Sequence, residues 1–280
     1  MVEDLKYPIL HEDPDMQSKE VIVAALIAVL TILACSFLVN ENNNDEPERI
    51  GIIGAMEEEV SILKDEMHLD RIETVAGMEF YIGSIEGTDV VVVQCGMGKV
   101  NAGVCAQLLI NDFHVTSVIN TGVAGSLDEE LDIGDYVVST DVVQHDFDVS
   151  PIGFKKGEIP YTGLYSFKAD EKLMAMAVEA LKKSVDTDIF EGRVCTGDQF
   201  VSTSEQKDRI LSDFGGLCCE MEGGAIGHIC YLNNVPFVII RVMSDKADGS
   251  GPSDYEEFKK EAAIESATVV KLMIESINYN

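Results

Sequence analysis

The chain has 280 residues, 46% of them hydrophobic, which supports one large core and is too short for two typical enzyme domains. Its 20 Lys and Arg stand against 50 Asp and Glu, a formal net charge of −30. No basic stripe is present to neutralise phosphates, and this excludes a nucleic-acid partner.

In chain order, residues 1–20 form a polar, acidic segment without the pattern of a fold. Residues 21–39 (VIVAALIAVLTILACSFLV) follow as an uncharged apolar run. At about 1.5 Å per residue, a helix of that length nearly crosses a hydrocarbon core, so a transmembrane anchor is expected. Ile32-Leu33-Ala34-Cys35 also loosely fits a lipid-attachment box, which makes a lipoprotein the alternative. Against it, the preceding segment is acidic where a signal peptide is basic. A buried helix packed on the rest of the chain is the third reading, and residues 40–48 (NENNNDEPE) oppose it by reading as a polar linker.

From residue 49 to 280 β-branched runs alternate with helix-period stretches. Strand-like segments are Ile50–Ile53, Val90–Gln94, Ser117–Asn120, Asp135–Val143 and Phe237–Val242. Helical patterns cover Glu57–Met67, Val100–Phe113, Ala169–Lys183, Glu222–Leu232 and Asp254–Ile277. Continuous apolar strands between helices predict an α/β fold whose sheet is buried on both faces. Cys35, Cys95, Cys105, Cys195, Cys218, Cys219 and Cys230 form no CxxC pair and no zinc-like spacing. A reduced, intracellular domain is the simplest reading.

Ligands of open α/β sheets bind beyond the carboxyl ends of the strands, so unusual residues just after strands are the candidates. Gly54-Ala55-Met56-Glu57-Glu58-Glu59 puts three glutamates at a helix start. Successive helical residues point about 100° apart, so at most one of them faces a site, and composition does not say which. Gly96-Met97-Gly98-Lys99 frees backbone N–H groups for an anion but lacks Walker spacing, and a structural turn explains it equally. Asn120-Thr121-Gly122-Val123-Ala124-Gly125-Ser126 is a second small-residue turn. Cys219-Glu220-Met221-Glu222-Gly223-Gly224 and Arg241-Val242-Met243-Ser244-Asp245 bring charge next to apolar strands. Such charges are either paired for structure or placed for catalysis.

The segments GIIGAMEEEV, GMGKVNA, NTGVAG, HDFDV, GDQFV, EMEGGAIGH and RVMSD, in this order, resemble the bacterial 5′-methylthioadenosine/S-adenosylhomocysteine nucleosidases from about Ile50 to Ile277. The resemblance implies a three-layer α/β/α sandwich around a central mixed sheet, nucleoside phosphorylase-like, here preceded by an apolar helix. It implies hydrolysis of the N-glycosidic bond of a 5′-thioadenosine (5′-deoxyadenosine included) without cofactor or metal. Asp245 matches the general acid that protonates adenine N7, which requires a carboxyl kept protonated in a dry pocket. Glu59 matches the base that activates water, leaving Glu57 and Glu58 solvated. Glu222 matches the carboxylate on the ribose hydroxyls and Met221 the side chain packed on the ribose. Phe200 matches the ring stacked on adenine, and the Val201 backbone the purine-edge contact. Gly125 and Ser244 fall in segments lining the substrate, and Arg241 helps to hold the water. Val123 departs from members that carry serine there, which removes a hydroxyl near the water. His145 and His228 have no metal-ligand spacing, and His228 reads as a packed core histidine.

The resemblance also implies a homodimer in which the loop around Ile152 reaches the neighbouring subunit's 5′-thio pocket. A purine nucleoside phosphorylase is the alternative, but it needs cations around the glycine-rich loops, which offer only Lys99. A non-catalytic, membrane-displayed nucleoside-binding protein is the other, opposed by intact Glu59, Glu222 and Asp245. For the anchored chain, Lys6 and Lys19 against Arg49 weakly favour an external catalytic region. Intracellular substrates and unpaired thiols favour the cytoplasmic side, which is the expectation.

Overall fold

The computed structural model describes residues 48–249 and 251–277. The expected anchor at residues 21–39, the polar segment before it and nearly all of the linker lie outside the described residues. Among the described residues no helix is long and apolar enough to cross a membrane.

Strand β1 (Arg49–Gly54) runs parallel to β4 (Thr88–Gln94) on one side and to β5 (Ser117–Ser126) on the other. An antiparallel hairpin, β2 (His68–Val75) and β3 (Met78–Ile85), extends the sheet beyond β4. On the other side β5 is parallel to β10 (Phe237–Asp245), and β10 is antiparallel to β6 (Tyr136–Gln144). Strand β8 (Ile189–Thr196) lies parallel to β6 and to the short β9 (Cys218–Glu220), which returns antiparallel to β5. Strands β5, β10, β6, β8 and β9 thus close a ring, with β7 (Phe167–Lys168) paired outside it on β6.

Side chains alternate across a strand with period two, and the core follows that rule. Val91 and Val93 of β4 enter one apolar cluster, while Val90 and Val92 enter the other. Helices α2 (Lys99–Asn111) and α5 (Gly223–Asn233) cover the first face with Ala102, Cys105, Ala106, Leu109, Ile226 and Cys230. Helices α1 (Glu57–Glu66), α3 (Glu171–Ser184) and α6 (Gly251–Ile277) cover the second with Val60, Leu63, Leu173, Leu181 and Met273. Burying a side chain of this size contributes about 1.5–3 kcal/mol, so each face stabilises its helices strongly. The mixed sheet between two helical layers matches the sequence expectation. The closure of the sheet into a ring is added to it.

Helix α4 (Ser204–Phe214) covers a third, smaller core of Leu127, Val143, Cys195, Ile210 and Phe214. Thr203 caps it by accepting from Gln206 N at 3.3 Å, and Gly215 ends it at φ 63°. His228 stacks on Phe167 at 4.6 Å, the packed histidine that its position on α5 suggested. The parallel strands β1, β4, β5 and β10 present their carboxyl ends on one side of the sheet, where the helix starts and loops converge.

Candidate active site

The turn from β1 into α1 places Glu59 in the third position of the helix, buried, while Glu57 is exposed and paired with Lys64. Glu59 Oε2 accepts from Ala55 N at 2.6 Å and Met56 N at 2.9 Å, and Oε1 accepts from Val123 N at 3.3 Å. Burial pushes its carboxyl above the usual carboxylate range, against the pull of Arg241 and these three N–H groups. That state suits a base poised to take a proton. Gly122 permits the arrangement by having no side chain: a Cβ there would lie 2.5 Å from both Glu59 Oε1 and Arg241 Nη1.

Arg241, 1% exposed, is the one buried cation of this cluster. Its Nη2 donates to Asn120 Oδ1 and to Glu220 Oε2, both at 2.6 Å, and stands 3.8 Å from Glu222 Oε2. Glu222 Oε1 accepts from Gly98 N at 2.8 Å. Gly98 holds φ at 97°, a left-handed conformation that a side chain would strain, and this aims its N–H at the glutamate. Burial, and after it the charge of Glu220, pushes Glu222 up to about 7.

Asp245 ends β10, buried, opposite Gly125 of β5. Its Oδ1 accepts from Ala247 N at 2.9 Å, and Oδ2 lies 3.0 Å from the Ser244 hydroxyl. A Cβ on Gly125 would stand 3.0 Å from Asp245 Oδ1, so the glycine leaves room for the acid. Phe200, 48% exposed, and buried Val201 follow β8 on the loop into α4. All nine residues expected from the sequence meet here: eight line a cavity of about 360 Å³, and Arg241 lies immediately behind it. Among the described residues the lining carries four acidic side chains, Glu59, Glu220, Glu222 and Asp245, and no Lys, Arg or His.

Lys99, the cation of the glycine-rich loop, faces elsewhere. Its Nζ donates to Asp146 Oδ1 at 2.5 Å and its backbone N to Asp198 Oδ1 at 2.8 Å. His145 belongs to a separate pocket with Asp146, Lys156, Arg209 and Phe214. Burial holds its imidazole below the ordinary histidine value.

The phosphorylase superfamily model matches residues 49–278. A 5′-methylthioadenosine/S-adenosylhomocysteine nucleosidase from Staphylococcus saprophyticus is 43% identical over 231 residues, covering 81% of this chain and 100% of the relative. The chain belongs to this nucleosidase family. Solved nucleosidases agree in fold. That from Neisseria meningitidis, in complex with methylthio-immucillin-A, superposes with a TM-score of 0.79 at 35% identity, covering 82% of this chain and 99% of that one. That from Colwellia psychrerythraea, in complex with adenine, gives 0.78 at 37% identity over 82% and 95%.

Within the nucleosidase framework, the side chain that motif reading passed over is Glu220. It is visible only as part of the EMEGG segment, yet among the described residues it is the one carboxylate that accepts from Arg241 at hydrogen-bond distance, at 2.6 Å. An arginine buried at the end of an apolar strand requires a buried anion. That requirement, applied to the nearby glutamates, was the available signal. Asn120 and Thr196 were likewise unassigned. Asn120 ties Arg241 to β1 through Ile53 O at 2.9 Å, and the Thr196 hydroxyl donates to Glu220 Oε1.

Proposed function

We propose that this chain hydrolyses 5′-methylthioadenosine and S-adenosylhomocysteine, freeing adenine and a 5-thio-substituted ribose. The observation that carries hydrolysis over phosphorolysis is the cavity lining, which among the described residues holds Glu59, Glu220, Glu222 and Asp245 and no Lys, Arg or His, while Arg241 behind it is already bound to Glu220. A phosphate dianion would meet like charge there, whereas water and a developing sugar cation are both favoured. Lys99, the one basic residue of the glycine-rich loops, is already paired with Asp146.

Asp245 delivers its proton to adenine N7 while the C1′–N9 bond breaks, so adenine leaves neutral. Glu59 takes the proton of the water that attacks C1′, and Arg241 helps to fix that water. The Val123 N–H supports the base through the backbone, so the missing hydroxyl at this position leaves the Glu59 contact intact. Glu222 accepts from the ribose hydroxyls, Met221 packs on the sugar, Phe200 stacks on adenine, and Val201 meets the purine edge. General acid and base each contribute about 10²–10⁴-fold. Adenine release from each nucleoside by the full chain, with and without phosphate, tests this. Phosphate-independent release supports it; strict phosphate dependence favours a phosphorylase, and tight binding without turnover favours a binding protein.

The homodimer belongs to the same reading. Val100 and Val104, one turn apart on α2, are 77% and 41% exposed, and Met97 and Ile152 are 63% and 73% exposed. Met97 lines the cavity, and exposed apolar side chains of this size suit cover by a second copy. Light scattering that shows an active monomer refutes it. Residues 21–39 anchor the chain to a membrane, with the catalytic region facing the cytoplasm. Its length and apolar character support the anchor, and six free buried cysteines support the reducing side. Protease added to intact cells then leaves the catalytic region whole, and its digestion would reverse the orientation.

A further inference from the structure

Glu220 does not touch the reacting bond in this reading, yet it is the most heavily engaged carboxylate of the site. Its Oε2 accepts from Arg241 Nη2 at 2.6 Å, Glu222 N at 3.0 Å and Gly223 N at 2.7 Å. Its Oε1 accepts from the Thr196 hydroxyl. That hydroxyl itself accepts from Gly224 N at 2.6 Å, which leaves its one proton for Glu220. Four donors converge on an acceptor-only group.

Glu222, two residues on, is served less well. Beyond the Gly98 N–H, its nearest cation is Arg241 at 3.8 Å, outside hydrogen-bond distance. The charged groups facing it are Glu220 from β9, Arg241 from β10 and Glu59 from α1. Asp245 lines the same cavity, and Lys99, next to Gly98, is turned to Asp146. Three carboxylates therefore share one guanidinium, and Glu220 with Asn120 holds it.

We propose that Glu220 is a positioning residue of this reaction: by keeping Arg241 away from Glu222, it leaves the ribose-binding carboxylate able to take up a proton and so sets the pH range of nucleoside binding. The inference rests on the reading of Glu222 as the acceptor of the ribose hydroxyls. Those hydroxyls are donors, and only ionised Glu222 offers both oxygens to them. Glu222 is pushed up to about 7, so below that pH a binding nucleoside must expel a proton. KM at pH 6 is then about tenfold above its alkaline plateau.

Glu220→Gln keeps an oxygen for the Glu222 and Gly223 N–H groups, removes the charge and frees Arg241 toward Glu222. Its KM transition moves to lower pH, and KM at pH 6 lies within about twofold of its own plateau. Glu220→Asp retains the charge and keeps the transition near that of the wild type. A merely structural role would raise KM at every pH without moving the midpoint. The test is KM and kcat from pH 5 to 9 for the full chain, these two variants and Glu222→Gln. Glu222→Gln raises KM and abolishes the transition; unchanged KM in that variant sinks the reading of Glu222 itself. If Glu222→Gln abolishes the transition while Glu220→Gln leaves it at the wild-type pH, the proposal is overturned. Should Glu220→Gln fail to fold, Glu220→Met replaces it, an apolar side chain of similar volume that likewise removes the charge holding Arg241. The transition again moves down, and an unmoved one overturns the proposal.

Discussion

Gly122→Ala tests the geometry around the water-activating base without replacing a functional side chain. The added methyl lies 2.5 Å from Glu59 Oε1, 3.0 Å from the Glu59 carboxyl carbon and 2.5 Å from Arg241 Nη1. Contact at van der Waals separation requires these groups to withdraw by about 1 Å. Neither withdraws freely: the Ala55 and Met56 N–H groups hold Glu59 at 2.6 and 2.9 Å, and Asn120 and Glu220 hold Arg241 at 2.6 Å. Because the nearest atoms belong to side-chain ends, the sheet survives and the carboxylate moves. A 1 Å displacement costs about 10²-fold in rate, or about 2.7 kcal/mol of barrier. Overpacking costs a further 1–3 kcal/mol or so of stability, a fall of several degrees in Tm. Adenine release under saturating nucleoside measures kcat, and calorimetry measures binding. The expected result is a kcat about 100-fold lower with nucleoside affinity within a few-fold of wild type. A kcat within about threefold of wild type would show that Glu59 and Arg241 do not need their observed separation.

Glu59→Gln should cost about 10²-fold or more in kcat, while Glu57→Gln and Glu58→Gln stay within a few-fold, because neither Glu57 nor Glu58 lines the cavity and Glu57 pairs with Lys64. Sensitivity at Glu58 instead would mean that the helix presents another face to the cavity. Asp245→Asn should retain nucleoside binding and lose about 10²-fold or more in adenine release, since an amide carries no proton for N7. Arg241→Met leaves Glu59, Glu220 and Glu222 buried without their shared cation. Urea unfolding should show a loss of about 3–5 kcal/mol, and a loss below about 1 kcal/mol would mean that the carboxylates are compensated elsewhere.

The strands legible in the sequence are those buried on both faces, where apolar residues run without interruption. β1, β4, β5 and β10 are read from such runs and β6 from the runs on either side of Ser139-Thr140-Asp141, and their segments fall inside the observed strands apart from Asp135 at the start of β6. The β2–β3 hairpin escaped because β2 (HLDRIETV) is largely exposed and charged, and its turn at Ala76-Gly77 offers only positive φ as a signal. Strand β8 mixes Glu191 and Arg193 into its length, and β9 has three residues, too few for a period. Helix α4 buries only Ile210 and Phe214, yet its Thr203-x-x-Gln206 start was readable as a cap. At the site, Glu59, Glu222 and Asp245 came through the family motifs rather than through periodicity. Glu220 stayed hidden because its role exists only when β9 and β10 both pair with β5 and bring together residues 21 positions apart.

The closed ring of β5, β10, β6, β8 and β9 carries a mechanical consequence. A strand bonded on both flanks inside a ring has no edge at which it can slip; advancing β10 by one residue would force a change of phase around the whole circuit. A bulge at Ser244 then sets Asp245 opposite Gly125, and strand β5 ties that position to Gly122 beside the base. The spacing of acid and base is set by the count of residues on one braced strand. The segments after β8 and β9 carry Phe200, Val201, Met221 and Glu222 into the cavity, so the ring fixes the distance between acid and base while these segments shape what binds between them.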